Sequence, residues 1–145
     1  MAKEINNELR KNITEKAFFE HYDKYGVKKL PVHGKNNIRF DFNGNKIIGE
    51  RSLLKLTKSL DGIWNDWYIT QKHINNNSGG SQDNQIRDVY HTLSYALKGN
   101  NKCITCIEGN FPIEKIKELK ELENENIKVF YEKEFEKWIK TMLQN

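Results

Sequence analysis

The sequence predicts an α/β fold in which helices flank a mixed central sheet. Runs that alternate apolar and polar residues lie in the first half of the chain, and short apolar runs alternate with helical patterns in the second half. Strands that meet in hairpins pair antiparallel, whereas strands joined by helices pair parallel, so both arrangements are expected in the sheet. The length of 145 residues suits one domain, and we expect residues 1–145 to fold as a single unit.

The chain is expected to begin with a long amphipathic helix. Apolar residues recur at three- and four-residue intervals over Lys3–Tyr25, and Gly26 ends the pattern. A loop is predicted over Val27–Asn37, which contains a proline and a glycine. The apolar positions of this helix are Leu9, Ile13, Ala17, Phe18 and Tyr22.

Two antiparallel strand pairs are predicted next. Ile38–Phe42 alternates in period two, and Asn43-Gly44 separates it from a second apolar run, which is a strong hairpin signal. In the second pair, Asp61-Gly62 lies between a leucine-rich run over 53–56 and the aromatic run Ile63–Lys72. Together these runs supply three or four antiparallel strands.

The second half is expected to alternate helix and strand. A polar turn is predicted over Asn75–Gly80, and each later helix carries its apolar residues on one face. The predicted elements are a helix from Ser81 or Gln82 to Leu97, a strand at Cys103–Ile107, a helix from Pro112 to about Leu122, a strand at Ile127–Tyr131 and a helix at Glu134–Leu143.

Charge and cysteine content narrow the possible functions. The formal net charge of +4 permits a nucleic-acid partner without requiring one. No apolar run approaches the length of a membrane span, and Met1–Arg10 lacks the apolar core of a signal peptide. Two cysteines cannot form a disulfide framework and suit a reducing compartment. We therefore expect a cytoplasmic protein that does not bind a membrane.

Asp61 and Lys72 are the candidate catalytic pair. Side chains alternate along a strand, so Tyr68, Thr70 and Lys72 should share one face. Phosphodiester hydrolysis can use a carboxylate that holds Mg²⁺ and an amine that positions water and stabilises developing charge, provided that both face one cleft. The alternative is that Asp61-Gly62 only forms a tight turn and that Lys72 is a charged strand-edge residue.

The segment after Lys72 is the candidate DNA-binding surface. Gly79-Gly80 allows the backbone to approach a ligand closely, and the helix N-terminus behind it favours anions. Gln82 and Gln85 are three residues apart and should share a helix face, although Gln82 has the alternative role of a helix cap. The residues predicted to contact DNA are His73, Asn77, Ser81, Gln82 and Gln85.

These motifs resemble those of the PD-(D/E)xK nucleases, a superfamily that includes many type II and type IIS restriction endonucleases. Asp61-Gly62 stands where the family has its Pro-Asp, and Lys72 stands at the family's Lys. The resemblance covers roughly residues 1–108 and implies a restriction-endonuclease-like αβββαβ core with a C-terminal αβα extension. It also implies Mg²⁺-dependent cleavage of double-stranded DNA in the prokaryotic cytoplasm, with Asp61 as metal ligand.

The sequence departs from the family at its second acid. The position two residues before the Lys holds Thr70, which is a poor metal ligand. Glu50 is the first candidate for the missing carboxylate, because it precedes the strand that leads into Asp61, and Asp66 and Asp83 are further candidates. Without such a carboxylate the domain would cut DNA poorly, or would bind DNA without cutting it, as a module on a degenerate nuclease fold. A third hypothesis is an interaction domain that acts through its Glu- and Lys-rich C-terminal helices.

The quaternary arrangement follows from the size of the chain. One such domain carries one site, so a double-strand break needs a homodimer or two successive nicks. No separate recognition domain is evident, so sequence recognition is expected to come from loops of this domain, from a partner chain or from a larger parent protein.

The cysteines and most aromatic residues are expected to be structural. Cys103 and Cys106 should point to opposite faces of one strand, and no second cysteine pair completes a zinc site. The four histidines show no metal-ligand spacing. The aromatic residues expected to pack in the core, and not to stack on bases, are Trp64, Trp67, Tyr68 and Tyr90.

Overall fold

A computed structural model describes residues 15–49, 56–74 and 79–145, with side chains omitted at 74 and 79–83. The strands are β1 (Lys28–Lys29), β2 (Ile38–Phe40), β3 (Lys46–Ile48), β4 (Gly62–Trp64), β5 (Trp67–Ile74), β6 (Cys103–Gly109) and β7 (Ile127–Tyr131). The helices are α1 (15–22), α2 (Gly79–Lys98), α3 (Ile113–Lys120) and α4 (Glu134–Gln144), and a 3₁₀ turn at Asp23–Tyr25 follows α1.

Five of the strands form a mixed sheet in the order β1-β4-β5-β6-β7. β1, β4 and β5 pair antiparallel, whereas β5, β6 and β7 pair parallel. The parallel strands are joined by α2 and α3, because a parallel connection needs a crossover long enough to return to the starting edge. The predicted α/β class, with a mixed sheet and flanking helices, is confirmed.

Each face of the sheet carries its own apolar core. α2, α3 and the β2–β3 hairpin cover one face, which we call the α2 face; α1 and α4 cover the other, the α1 face. Buried residues of the α2-face core include Phe40, Leu60, Leu93, Ile107 and Val129. Buried residues of the α1-face core include Phe18, Trp64, Ile69, Phe130 and Phe135.

The two parallel strands at the centre alternate as the sequence predicts. On β5, Tyr68 packs into the α2-face core, whereas Trp67 and Ile69 pack into the α1-face core. On β6, Cys103 and Cys106 are buried in opposite cores, which confirms their expected orientation. Lys72 therefore projects from the α2 face, together with Tyr68.

The hairpin next to Asp61 differs from the prediction. The sequence pattern predicts one strand over Ile63–Lys72 and a turn at Asp61-Gly62, but the chain turns at Asn65 and Asp66, between β4 and β5. Asn65 has a φ of 52°, in the left-handed region that asparagine tolerates better than most residues. The continuous aromatic character of the run hid this turn.

The β2–β3 hairpin forms around Asn43-Gly44 as predicted, but it is a separate two-stranded sheet. The segment 56–60 runs beside β2: the Thr57 N–H donates to the Phe40 carbonyl at 3.0 Å, and the Leu60 N–H donates to the Ile38 carbonyl at 2.8 Å. β1 lies in the predicted loop, because Lys28 and Lys29 pair with β4 although two exposed lysines carry no periodic signal. The predicted run over 53–56 lies largely outside the described residues.

Several helix details also differ from the prediction. α2 begins at Gly79, two residues earlier than predicted. Tyr90 is 52% exposed, so it does not belong to the core. Tyr90 follows the buried Val89 by one residue, a rotation of about 100° that turns it away from the sheet. Ala17 of α1 is exposed as well.

Side chains close the outer edge of β7. The main-chain N–H of Val129 donates to Glu123 at 3.0 Å, and its carbonyl accepts from Lys120 at 2.9 Å. The N–H of Tyr131 donates to Glu134 at 2.7 Å. These contacts occupy groups that would otherwise pair with another strand. Within the described part of the chain, no helix has the length and apolar character needed to cross a membrane.

Candidate catalytic site

Asp61 is fixed by both its main chain and its side chain at the start of β4. Its N–H donates to the Ile69 carbonyl at 2.9 Å, and its own carbonyl accepts from the Leu30 N–H at 2.8 Å. The carboxylate oxygen Oδ2 accepts a hydrogen bond from the Gln71 N–H at 2.8 Å. Asp61 is therefore held between the segment after β1 and strand β5. Its carboxylate bonds the main chain of Gln71, the residue that precedes Lys72.

The structure brings Asp61 and Lys72 into one electrostatic environment. Burial raises the pKa of Asp61 to about 6, and the hydrogen bond from Gln71 and the positive charge of Lys72 both oppose that rise. Two further charges have smaller effects on the same pKa: Glu15 raises it and Lys29 lowers it. The positive charge of Lys72, eleven positions along the chain, therefore acts on the Asp61 carboxylate.

Thr70 is not available as a metal ligand. Its side chain is buried, and its Oγ1 hydrogen-bonds Oγ1 of Thr105 at 2.9 Å. The hydroxyl therefore links β5 to β6 instead of facing solvent. The position that holds the second acid in the resembled family is structural in this chain.

The structure tests only one of the other acids that were predicted to complete the site. Glu50 lies outside the described residues, as does the side chain of Asp83. Asp66 lies in the β4–β5 turn, at the other end of β4 from Asp61, and pairs with Lys102 at 3.0 Å. Asp66 is therefore wrong as a partner of Asp61, because the length of the strand separates the two carboxylates.

Glu15 is the acid that the sequence did not single out. It lies in α1, and its carboxylate is 3.5 Å from the Lys29 ammonium. Its negative charge raises the pKa of Asp61. In sequence Glu15 resembles any polar residue of an amphipathic helix. Its relation to Asp61 arises only because α1 packs against the part of the sheet that contains β1 and β4.

The donor chemistry at Asp61 suits a hard cation but supplies few ligands. Mg²⁺ prefers oxygen, and phosphoryl-transfer sites often hold it by one or two carboxylates, water and substrate phosphate. Asp61 offers one carboxylate whose Oδ2 is already oriented by a hydrogen bond. Glu15 is the other acid whose charge affects the pKa of Asp61. Across residues 15–49, 56–74 and 79–145, no group of three or more His, Cys, Asp or Glu side chains is placed to hold a metal ion.

The predicted DNA-contacting residues lie on two different elements, β5 and α2, where the structure describes them. Gln85 is half-buried on α2, and Ser81 and Gln82 belong to the first turns of the same helix. Asn77 lies outside the described residues. His73 is displaced from this group: it alternates with Lys72 on β5 and so projects toward the α1 face. Its Nδ1 is buried there and has no hydrogen-bond partner.

The candidate site is thus the Asp61 carboxylate, oriented by the Gln71 N–H, whose pKa is affected by the charges of Lys72 and Glu15. No protein family matches the chain, and no curated protein or solved structure shows significant similarity to it.

Proposed function

We propose that this protein is a Mg²⁺-dependent endonuclease that hydrolyses phosphodiester bonds in double-stranded DNA. The observation that carries the proposal is the Asp61 carboxylate, fixed by the Gln71 N–H and influenced by the Lys72 ammonium. The mixed sheet with its β5–α2–β6 crossover is compatible with a restriction-endonuclease-like core. A restriction-type role in a prokaryotic cytoplasm belongs to the same proposal.

Asp61 is the proposed metal ligand, and Glu15 is the acid that supports it from α1. With a pKa of about 6, the Asp61 carboxylate is mostly ionised at pH 7.5 even without a cation. Mg²⁺ held there would neutralise phosphate charge and activate a water molecule. Glu50 stays a candidate for a further carboxylate.

Lys72 is proposed to position the attacking water and to stabilise negative charge on the phosphate. An ammonium donates up to three hydrogen bonds and carries a compact charge, which suits the non-bridging phosphate oxygens. Lys72 projects from the α2 face of the sheet, the face that α2 covers, and α2 contains the predicted DNA contacts Ser81, Gln82 and Gln85. The scissile phosphate would therefore lie on this side of the sheet.

A non-catalytic DNA-binding module is the second candidate function. The Thr70 hydroxyl is committed to Thr105, and the described residues supply no three-ligand metal group. If Glu50 or another acid does not complete the site, Asp61 would hold Mg²⁺ too weakly for efficient cleavage. Salt-dependent DNA binding with no metal-dependent cutting would then be observed.

Cleavage of supercoiled plasmid in Mg²⁺ tests the proposal. We expect the wild type to produce nicked or linear DNA, and we expect Asp61→Asn to lower the rate by at least about 100-fold. Asp66→Asn is the matched control, because it makes the same chemical change in the exposed turn and should cleave like the wild type. EDTA should stop the reaction.

The outcomes separate the two candidate functions. DNA binding by the wild type with no cleavage over a broad set of sequences favours the non-catalytic module. Equal cleavage by the wild type and Asp61→Asn contradicts the assigned site.

A further inference from the structure

A polar crevice lies between β2 and α2, in the layer that covers the α2 face. It has a volume of about 260 Å³. The hairpin wall is held in place because β2 bonds to the segment 56–60, including the Phe40 N–H to Thr57 Oγ1 at 3.0 Å. The crevice is lined by Arg39, Leu56, Thr57, Lys58, Asp88 and His91.

Positive charge dominates this crevice. Arg39 and Lys58 carry full positive charges, Asp88 is the one acid among the lining residues, and His91 adds charge only when it is protonated. Arg39, on β2, lines the crevice together with Asp88 and His91 of α2. A guanidinium is always charged, and the crevice is therefore suited to an anion.

The Arg39 guanidinium is also incompletely satisfied. Its Nε is buried and has no hydrogen-bond partner. In the described part of the chain, no carboxylate pairs with Arg39 within 4.0 Å, although Asp88 lines the same crevice. Buried donors are almost always paired in native proteins, so a donor of this kind indicates a place for an acceptor.

The size and position of the crevice favour a backbone phosphate. Its volume is below that of most small-molecule sites but holds a group the size of a phosphodiester. Asp88, which lines the crevice, lies three residues after the predicted DNA contact Gln85, so the crevice is adjacent to that residue on α2. Arg binds phosphate with a planar pair of donors.

We infer that this crevice is a phosphate subsite for the DNA backbone, with Arg39 as its principal ligand and Lys58 as a second cation. The inference rests on the proposed DNA substrate and adds a binding position separate from Asp61 and Lys72. Because the subsite contacts a phosphate, it contributes affinity and register and no base recognition.

Fluorescence anisotropy with a labelled 20-base-pair duplex in EDTA tests the subsite. Arg39→Gln should weaken binding about tenfold at 100 mM NaCl and should reduce the salt-dependence slope by about one. Arg87→Gln is the matched control, because it makes the same charge change on α2 in a different groove, beside Tyr90 and Lys115; it should stay within about twofold of the wild type.

Two further variants keep the test independent of folding. Arg39→Lys retains the charge and should keep the slope while losing part of the affinity. Asp88→Asn removes the opposing charge and should tighten binding. Equal effects of Arg39→Gln and Arg87→Gln would overturn the subsite, whatever the cleavage assay shows. Absence of duplex binding by the wild type at low salt would instead overturn the proposed function, and the subsite with it.

Discussion

At Asp61, burial and local polar contacts act on the carboxyl pKa in opposite directions, and burial is the stronger effect. The folded pKa of about 6 lies above the ordinary value of 3.8. The folded state therefore binds the proton more tightly than the unfolded state, and the ionised carboxylate reduces stability at higher pH. A group that costs stability while it remains oriented by a hydrogen bond is typical of functional sites.

The first residue-scale prediction concerns Asp61→Asn. The amide oxygen can still accept from the Gln71 N–H, but the buried charge is gone. At pH 7.5 we expect the variant to be more stable than the wild type by at most roughly 3 kcal/mol, the equivalent of the pKa rise. The difference should shrink as the pH falls from 6 to 4. Urea denaturation across this pH range measures it.

Asp66 is a comparison for Asp61, because its pKa is shifted in the opposite direction. The Lys102 contact lowers the pKa of Asp66, so its ionised form is favoured in the folded state above the ordinary carboxyl pKa. The Asp66→Asn variant should therefore be no more stable than the wild type at pH 7.5. A less stable Asp61→Asn protein at pH 7.5 would contradict the electrostatic account of the site.

Thr70 is expected to matter for stability and not for catalysis. Thr70→Val removes one partner of the buried hydroxyl pair and leaves Thr105 Oγ1 unpaired, which should cost about 1–3 kcal/mol. Thr70→Ser keeps the hydroxyl and should cost less. The cleavage rate of folded Thr70→Val should equal that of the wild type; a specific loss of cleavage without a loss of stability would make Thr70 part of the site.

At the scale of elements, the β2–β3 hairpin and the end of α2 touch through two glycines. A Cβ added at Gly44 would lie 2.3 Å from the main-chain nitrogen of Gly99, and Gly44 also has a φ of +85°. The Gly44 carbonyl accepts from Asn101 Nδ2 at 2.6 Å. This close approach holds the hairpin against α2, and the hairpin forms one wall of the polar crevice lined by Arg39.

Gly44→Ala is therefore expected to destabilise the protein by about 2–4 kcal/mol, since it combines backbone strain with a backbone clash. Gly34→Ala is the matched control: Gly34 has a φ of +91°, but no heavy atom lies within 4 Å of the added Cβ. It should cost only the strain, about 1 kcal/mol. Thermal or urea unfolding compares the two, and equal losses would show that the hairpin does not depend on this contact.

At the scale of the whole molecule, local signals predicted the fold class well. Asn43-Gly44 marked a true hairpin, and the alternation of helix and strand after residue 79 gave the parallel half of the sheet. The two-residue strand at Lys28–Lys29 had no local signal, because its strand character comes only from pairing with β4. The Asn65-Asp66 turn was hidden by a stronger turn pair nearby and by aromatic residues on both sides.

Some parts of the candidate site were likewise predictable from local sequence patterns, and others were not. Asp61 and Lys72 belong to one hairpin region, so their approach depends on local pairing that a sequence pattern can suggest. Glu15 and the Arg39 crevice depend on helices packing over the sheet, and no spacing in the sequence encodes those contacts.

The closed edge of β7 limits how a second copy could bind. Glu123, Lys120 and Glu134 already occupy main-chain groups of that strand. A homodimer that cuts both strands of DNA would therefore use a surface other than strand addition at β7. This leaves the predicted dimer or partner chain as a proposal.

The central claim is that Asp61 orients a divalent cation beside Lys72. Mn²⁺ is the most direct probe, because it replaces Mg²⁺ in oxygen sites and broadens nearby backbone amide resonances. We expect substoichiometric Mn²⁺ to broaden first the amides of Asp61, Gln71 and Lys72 in the wild type, and to leave them sharp in Asp61→Asn. Broadening confined to other parts of the chain, or the same broadening in both proteins, would contradict the claim.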